Sequence, residues 1–281
     1  MDYRCLHRVS LNLPVGVRFR VPPMERKLKL FDHGVMRKKW RYVGVYGEEL
    51  MICAAVVHVG PAAQTFWAVW DRKTQTLHEG THMRNTAVKA PDGRLLVKDR
   101  GVEIDLALEV TPGFEVTTPA GKSWMWTRKQ LGIKATGTVR IGDRVVEVDS
   151  FGMIDDSAGY HPRQTLWRWS TGVGKDSAGR TVAWNFVNGM HDHPDDNENA
   201  VCADGERSTL ASAPIAEDLR SITIGDDRLD FHQESERGAK SNLLVIRSEY
   251  RQPFGTFTGT LPGIGEIHDA YGVMEFHDVA W

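Results

Sequence analysis

TVRIGDRVVEVD, residues 138–149, reads as two short strands folded back on a two-residue turn. Val139 and Ile141 precede Gly142-Asp143, and Val146 and Val148 follow it, so apolar residues keep a period of two on both sides. A loop that begins with Gly suits a type II′ hairpin, whose first central residue needs a positive φ. SITIGDDRLDFH, residues 221–232, repeats the design, with Ile222 and Ile224 before Gly225-Asp226 and Leu229 and Phe231 after it. Upstream, VEIDLALEV (102–110) alternates Val102, Ile104, Leu106, Leu108 and Val110 with Glu103, Asp105, Ala107 and Glu109. That pattern predicts a strand with one face in a core and the other mostly in water.

The same period governs the rest of the chain. Turn signals fall at Asp92-Gly93, Ala178-Gly179 and Asp204-Gly205, flanked by strand-like segments such as RTVAWNFV and NLLVIRSEY. No stretch carries a 3.6-residue stripe longer than two turns, and Ala213–Arg220 is the best candidate for a short helix. Many short strands between regular turns predict an all-β protein of sandwiches or barrels, in which closure removes exposed edges. At 281 residues the chain has room for two β domains. The acidic, turn-rich stretch DSFGMIDDSAGYHP (149–162) places their boundary near residue 150, giving an N-terminal domain over 1–150 and a C-terminal one over 151–281. The two IGD hairpins, 83 positions apart, could be equivalent parts of these domains.

Composition narrows the partners. Lys and Arg number 35 against 37 Asp and Glu, for a net charge of −2, which leaves no basic field to hold a phosphate backbone, so nucleic acid is not an expected partner. Cys5, Cys53 and Cys202 are an odd, scattered set and read as reduced thiols in a cytoplasmic protein. The N-terminal MDYRCLHRVSLNLPVG lacks the apolar stretch of a secretory signal, and the longest apolar run, Leu50–Val57, is far too short to span a bilayer. Nine Trp either fill a large core or line a pocket for an apolar ligand. Nothing in the sequence sets the oligomeric state.

Four stretches could carry chemistry. In DDSAGYHPRQTLWRW (155–169), Thr165, Trp167 and Trp169 share one strand face, and the preceding loop supplies Asp155, Asp156, Tyr160, His161 and Arg163. A carboxyl beside indole walls can hold a raised pKa and protonate an apolar, electron-rich substrate; an acidic turn before a core strand would look the same. In SWMWTRKQ (123–130), Trp124, Trp126 and Arg128 face one way and Met125, Thr127 and Lys129 the other, and a Lys pointing inward needs a carboxylate or a ligand. In WNFVNG (184–189), Asn185 and Asn188 interleave with aromatics, which fits a mostly apolar pocket with a few polar anchors. In GVMEFHDVAW (272–281), Glu275 and His277 share a face and could share a proton. His191 and His193, with Asp195, Asp196 and Glu198 nearby, invite a metal, but Pro194 and the polar run read as a solvated loop, and no metal is expected. P-loop, G-x-S-x-G, G-x-G-x-x-G and H-E-x-x-H patterns are absent from the sequence.

In the order and spacing of its pieces the chain resembles a bacterial family known only as a domain of unknown function, related to the lipocalin-like group that includes carotenoid hydratases and tocopherol cyclase. The pieces are KKWRYVGV (38–45), Thr127 with Lys129, Asp156 with Gly159, Trp167 with Trp169, Asn185 with Gly189, ENA (198–200), DG (204–205), F-G-x-F-x-G (254–259) and GVME (272–275). The resemblance implies a pair of calycin-type β-barrels or barrel-like sandwiches, with a ligand inside one barrel or between the two. It assigns no reaction, although the wider group performs proton-driven hydration and cyclisation.

The expected function is that of a cofactor-independent acid/base enzyme, of hydratase, isomerase or cyclase type, acting on a hydrophobic small molecule such as an isoprenoid or polyketide. Asp156 is the expected acid, with Glu198 or the Glu275/His277 pair as base and Lys129 holding the acid or a polar end of the ligand. Trp126, Trp167, Trp169, Asn185, Asn188 and Arg163 are the expected ligand contacts. The alternative is a carrier that binds a lipid or isoprenoid and leaves it unchanged. A third reading, a closed tryptophan core without a pocket, stays open on the sequence alone.

Overall fold

The computed structural model describes residues 18–84, 87–193, 196–243 and 246–281, and over them the chain is almost wholly β. A short hairpin, β1 (Phe31–Asp32) and β2 (Val35–Met36), precedes the first large sheet. That sheet comprises β3 (Lys38–Tyr46), β4 (Leu50–Val59), β5 (Ala62–Asp71), β6 (Thr76–Met83), β7 (Val88–Lys89), β8 (Arg94–Asp99), β9 (Val102–Leu108), β10 (Phe114–Ala120), β11 (Ser123–Ile141) and β12 (Arg144–Gly159). Its order is β6-β5-β4-β3-β12-β11-β9-β8-β7, with β10 on the first half of the long β11. The second sheet comprises β13 (Gln164–Asp176), β14 (Thr181–Asn188), β17 (Ala200–Ala203), β18 (Glu206–Thr209), β19 (Ser221–Ile224), β20 (Asp227–Leu243), β21 (Ile246–Leu261) and β22 (Gly265–Ala280), after the small pair β15 (Asp192–His193) and β16 (Asp196–Asn197). Its order is β18-β17-β14-β13-β22-β21-β20-β19. Both sheets thus obey one rule: three strands meander outward from the first, and the last strand returns to pair with that first strand.

Each sheet curls around its own core. Val43, Val45, Ile52, Val69, Leu95, Ile104, Leu106 and Val139 fill the first half-barrel. Trp184, Phe186, Ile222, Leu229, Phe231, Phe257 and Met274 fill the second. A third cluster draws on both sheets, with Tyr42, Met51, Cys53 and Met153 from one and Trp167, Trp169, Val187 and Phe254 from the other. The outer faces of the half-barrels therefore pack on each other. This explains the unbroken apolar run at residues 50–57: Leu50, Ile52 and Ala54 enter the first core while Met51, Cys53 and Ala55 enter the shared layer, so both faces of β4 are dry. At the open seam of the first sheet, Trp67 Nε1 and His82 Nε2 both reach Asp99 Oδ2, at 3.0 and 2.6 Å.

The strand expected from VEIDLALEV runs over Val102–Leu108 with strict alternation of buried and exposed residues. Both Gly-Asp turns form, and in each only the Gly has a positive φ, 59° at Gly142 and 62° at Gly225, as the type II′ turn demands. The hairpins are not equivalent, however, because the first joins β11 to β12 at the centre of its sheet and the second joins β19 to β20 at an edge. Residue 150 falls inside β12, and among the described residues the chain passes from the first large sheet to the second at residues 160–163. Ala213–Arg220 forms no helix. Pro214 removes a backbone donor, Leu219 takes a left-handed φ of 59°, and the Asn188 amide binds Ala213 O and Ile215 N at 3.3 and 2.7 Å, holding the segment as a plug. Ala213, Ile215 and Leu219 close the second core from there. Cys53 and Cys202 are buried free thiols, and Cys5 lies outside the described residues. No described helix is long and apolar enough to cross a membrane.

Candidate active site

Between the two half-barrels lies a cavity of about 330 Å³. Its walls are mainly Trp40, Tyr42, Phe66, Trp167, Trp169 and Tyr250, and its deeper polar groups are Lys129, Asp155, Glu198 and Glu275. Ala62, Met83 and Ala239 are exposed at its rim. The volume is at the small end for sites that take drug-sized ligands.

Strand parity decides which predicted residues meet here. On β12, Asp155 faces the cavity and Asp156 faces away. Asp156 is fully buried between Arg41, at 2.6 and 2.9 Å, and Arg128, at 2.7 Å. The position expected of Asp156 is occupied by its neighbour. Trp126 also points away from the cavity and gives its indole N–H to Glu115 at 2.9 Å. Arg163 is exposed outside the cavity, and Asn188 is spent on the plug. Trp167, Trp169, Lys129, Glu198, Glu275 and His277 are brought together. Asn185 stands just behind them, accepting from Trp169 Nε1 at 2.8 Å and donating to Glu198 O at 2.9 Å. Sequence reading named Asp155 beside the favoured Asp156 without giving it a role, and missed Trp40, Tyr42, Gln252 and Arg237 as site residues.

Lys129 Nζ lies 2.8 Å from Asp155 Oδ1 and 3.2 Å from Glu198 Oε2. Burial opposes its charge, but the two carboxyls more than compensate and raise its pKa. Burial pushes Glu198 up to about 7, with Lys129 pulling against it and Asp155 adding to it. Glu275 is likewise pushed up to about 7 by burial, against the hydrogen bond from Trp167. It accepts Trp167 Nε1 on Oε1 at 2.8 Å and Gln252 Nε2 on Oε2 at 2.9 Å. Burial pulls His277 down to about 3, so its imidazole is neutral, and it bonds to Ser248 Oγ at 2.9 Å and not to Glu275. The cavity therefore holds two carboxyls able to carry a proton near neutrality beside one fixed ammonium, under walls of indole.

In the His191–His193 stretch Asp192 and His193 are exposed, as a solvated segment would be, and His191 departs from that expectation. His191 is buried, bonded through Nδ1 to Thr118 Oγ1 at 2.9 Å and packed edge-on against His161. Its own burial, then His161 and Lys129, lower its pKa. Among the described residues no group of three or more His, Cys, Asp or Glu is placed to hold a metal ion, and Asp195 lies outside them.

A repeated pair of short strings could have located the missed residues. WRY (40–42) and WRW (167–169) open the first strand of each sheet, and FGMID (151–155) and YGVME (271–275) run through the last. Each acid ends its string in a wall of the same cavity.

A family model described as Domain of unknown function (DUF2804) matches residues 80–281. No curated protein matches the chain. A crystal structure described as a candidate AttH from Nitrosomonas europaea superposes with a TM-score of 0.61 at 11% identity, covering 95% of this chain and 98% of that one. Kievitone hydratase from Nectria haematococca superposes with a TM-score of 0.54 at 11% identity, covering 85% and 88%. Likenesses this distant concern the fold, in which the expected pair of calycin-type β-barrels or barrel-like sandwiches takes the form of two curled half-barrel sheets, and leave the chemistry to the residues.

Proposed function

The chain belongs to the DUF2804 family, a domain of unknown function, so its chemistry has to be taken from its own cavity, and we propose that it is an acid/base enzyme that protonates a hydrophobic small molecule. The observation that carries this reading is the placement of Glu275, with a pKa near 7, in an apolar cavity walled by Trp167 and Trp169. In its neutral form Glu275 costs little to bury and holds a proton ready for a double bond or a carbonyl oxygen. A cation that forms on protonation meets the indole faces, each worth about 0.5–2 kcal/mol. Water or an internal nucleophile then completes hydration or cyclisation, and loss of a different proton completes isomerisation. The cavity volume suits a molecule of two or three rings, such as a small isoprenoid or polyketide, better than a long polyene. No cofactor is needed for these steps.

The hydratase among the structural neighbours lends the reading an analogy of fold. The test is incubation in D2O with a panel of prenylated phenols and small terpenoids, followed by mass spectrometry. Turnover at a double bond inserts deuterium at the protonated carbon, turnover begun at a carbonyl oxygen returns a changed mass or an isomer, and Glu275→Gln abolishes both while apolar dye binding persists. Recovery of every compound unchanged and unlabelled sinks the enzymatic reading and leaves the carrier.

A further inference from the structure

The cavity is built twice. In the first sheet Trp40, on β3, lies opposite Ser157 on β12, which lies opposite Thr127 on β11; two residues deeper the row is Tyr42, Asp155, Lys129, and the next is Gly44, Met153, Leu131. In the second sheet the matching rows are Trp167, His277, Tyr250, then Trp169, Glu275 opposite Gln252, then Thr171, Val273, Phe254. Each half gives its carboxyl the indole N–H of the Trp two residues earlier on the first strand: Trp40 to Asp155 Oδ2 at 3.3 Å, and Trp167 to Glu275 Oε1 at 2.8 Å. Gly152 and Gly272 stand three residues before the two acids, where a Cβ would strike the carbonyl oxygen of Gly44 or of Thr171. The halves differ at the residue across the strand, an ammonium in one and an amide in the other.

We propose that this is one duplicated site whose halves have diverged into a charged carboxylate, Asp155 held by Lys129, and a protonated carboxylic acid, Glu275 held by Gln252. Donor count agrees with the split. Asp155 has Lys129 at 2.8 Å and the hydroxyls of Thr127 and Ser157 each within 3.2 Å of the same oxygen, as well as the indole. Glu275 has two neutral donors. The inference rests on the acid/base reading and deepens it by naming the ligand's polarity. The substrate offers an electron-rich double bond or carbonyl to Glu275, and an O–H or acidic C–H to Asp155, with an apolar body between them. In the reaction the Glu275 O–H bond breaks as its proton passes to the substrate, and Asp155 accepts a proton from the substrate or from the attacking water. The two carboxyls then re-equilibrate through solvent.

The titratable and charged groups around Glu275 in and behind the cavity are Asp155 and Lys129 from the first sheet's last two strands, Tyr42, Tyr46 and Cys53 from β3 and β4, Glu198 just before β17, Arg237 from β20, and Tyr250 and His277 from β21 and β22. Gln252→Lys adds one ammonium to this set. With side-chain ¹³C-labelled glutamate, and the Glu275 signal identified by its loss in Glu275→Gln, the titration midpoint of Glu275 should fall by about 1–3 pH units in Gln252→Lys. Gln252→Met, which adds no charge, should not lower it by that amount. The exchange variant Lys129→Gln/Gln252→Lys keeps the number of charges constant, serves if the single variant does not fold, and should show a smaller fall in the same direction, because the Lys129 it removes also lowers Glu275. An unmoved Glu275 midpoint in a folded lysine variant overturns the split, even if Glu275→Gln abolishes turnover. A midpoint that falls as expected supports the split, even if no compound is ever converted, in which case the enzymatic reading alone fails.

Discussion

Replacing Glu275 by Gln should make the protein more stable than wild type by an amount that grows with pH. Glu275 is buried, and its pKa rises from 4.5 to about 7 on folding. A carboxyl raised in this way contributes its full stability below the unfolded value and loses it as pH climbs through the folded one. The whole span, at 1.36 kcal/mol per pH unit, comes to about 3 kcal/mol, of which about 2 kcal/mol falls between about pH 5.5 and about pH 8. Gln does not titrate, so its stability is free of this decline. The site tolerates the amide: one orientation accepts from Trp167, and Gln252, whose Oε1 has no protein partner, can turn to accept the new N–H. Urea denaturation at the two pH values is the assay. With a slope of about 3 kcal/mol per molar, the gap between variant and wild type should widen by roughly 0.7 M. Parallel midpoints for the two proteins across that range would show that Glu275 does not bind its proton in the folded state, and the reasoning about the cavity acid would fall.

Lys129→Met strands Asp155 and Glu198 without their cation and should cost about 3–5 kcal/mol at alkaline pH, read from the same urea curves. Trp167→Ala removes a cavity wall and the N–H to Glu275, and should weaken a neutral dye such as N-phenyl-1-naphthylamine roughly tenfold; fluorescence titration checks it, and unchanged affinity in a folded variant moves the site elsewhere. His277, held by burial at about 3, should show no imidazole titration by NMR between about pH 5 and 8.

Much of the strand pattern was legible because one face of most strands meets water: the period-two alternation of β9 and the Gly-first turns at 142 and 225 can be read from chemistry alone. Trp167, Trp169, Glu275 and Lys129 were legible as a group because polar residues among aromatics need partners. Asp155 was hidden by Asp156. Two adjacent acids point to opposite faces of a strand, and parity cannot say which face is the cavity until the partner sheet is placed. Asp156 also satisfies the rule that a buried charge is paired, through Arg41 and Arg128, so nothing in its own neighbourhood marks it as structural. The plug over 213–219 was illegible for another reason. Its apolar residues reach the second core at spacings set by Asn188, a residue 25 positions earlier than Ala213, and not by any local period.

That WRY and FGMID return as WRW and YGVME around a single cavity bears on how such a site can arise. A homodimer of one half would carry its carboxyl twice about a two-fold axis, and any substitution would enter both copies together, so neither acid could be made different from the other. Joining the halves in one chain breaks that symmetry at the level of the gene. Lys129 and Gln252 can then be selected separately, and under the proposed acid/base split the cavity gains a direction, with one wall that would give a proton and one that would take it. A ligand in such a cavity has a head and a tail, which a symmetric dimer could not impose.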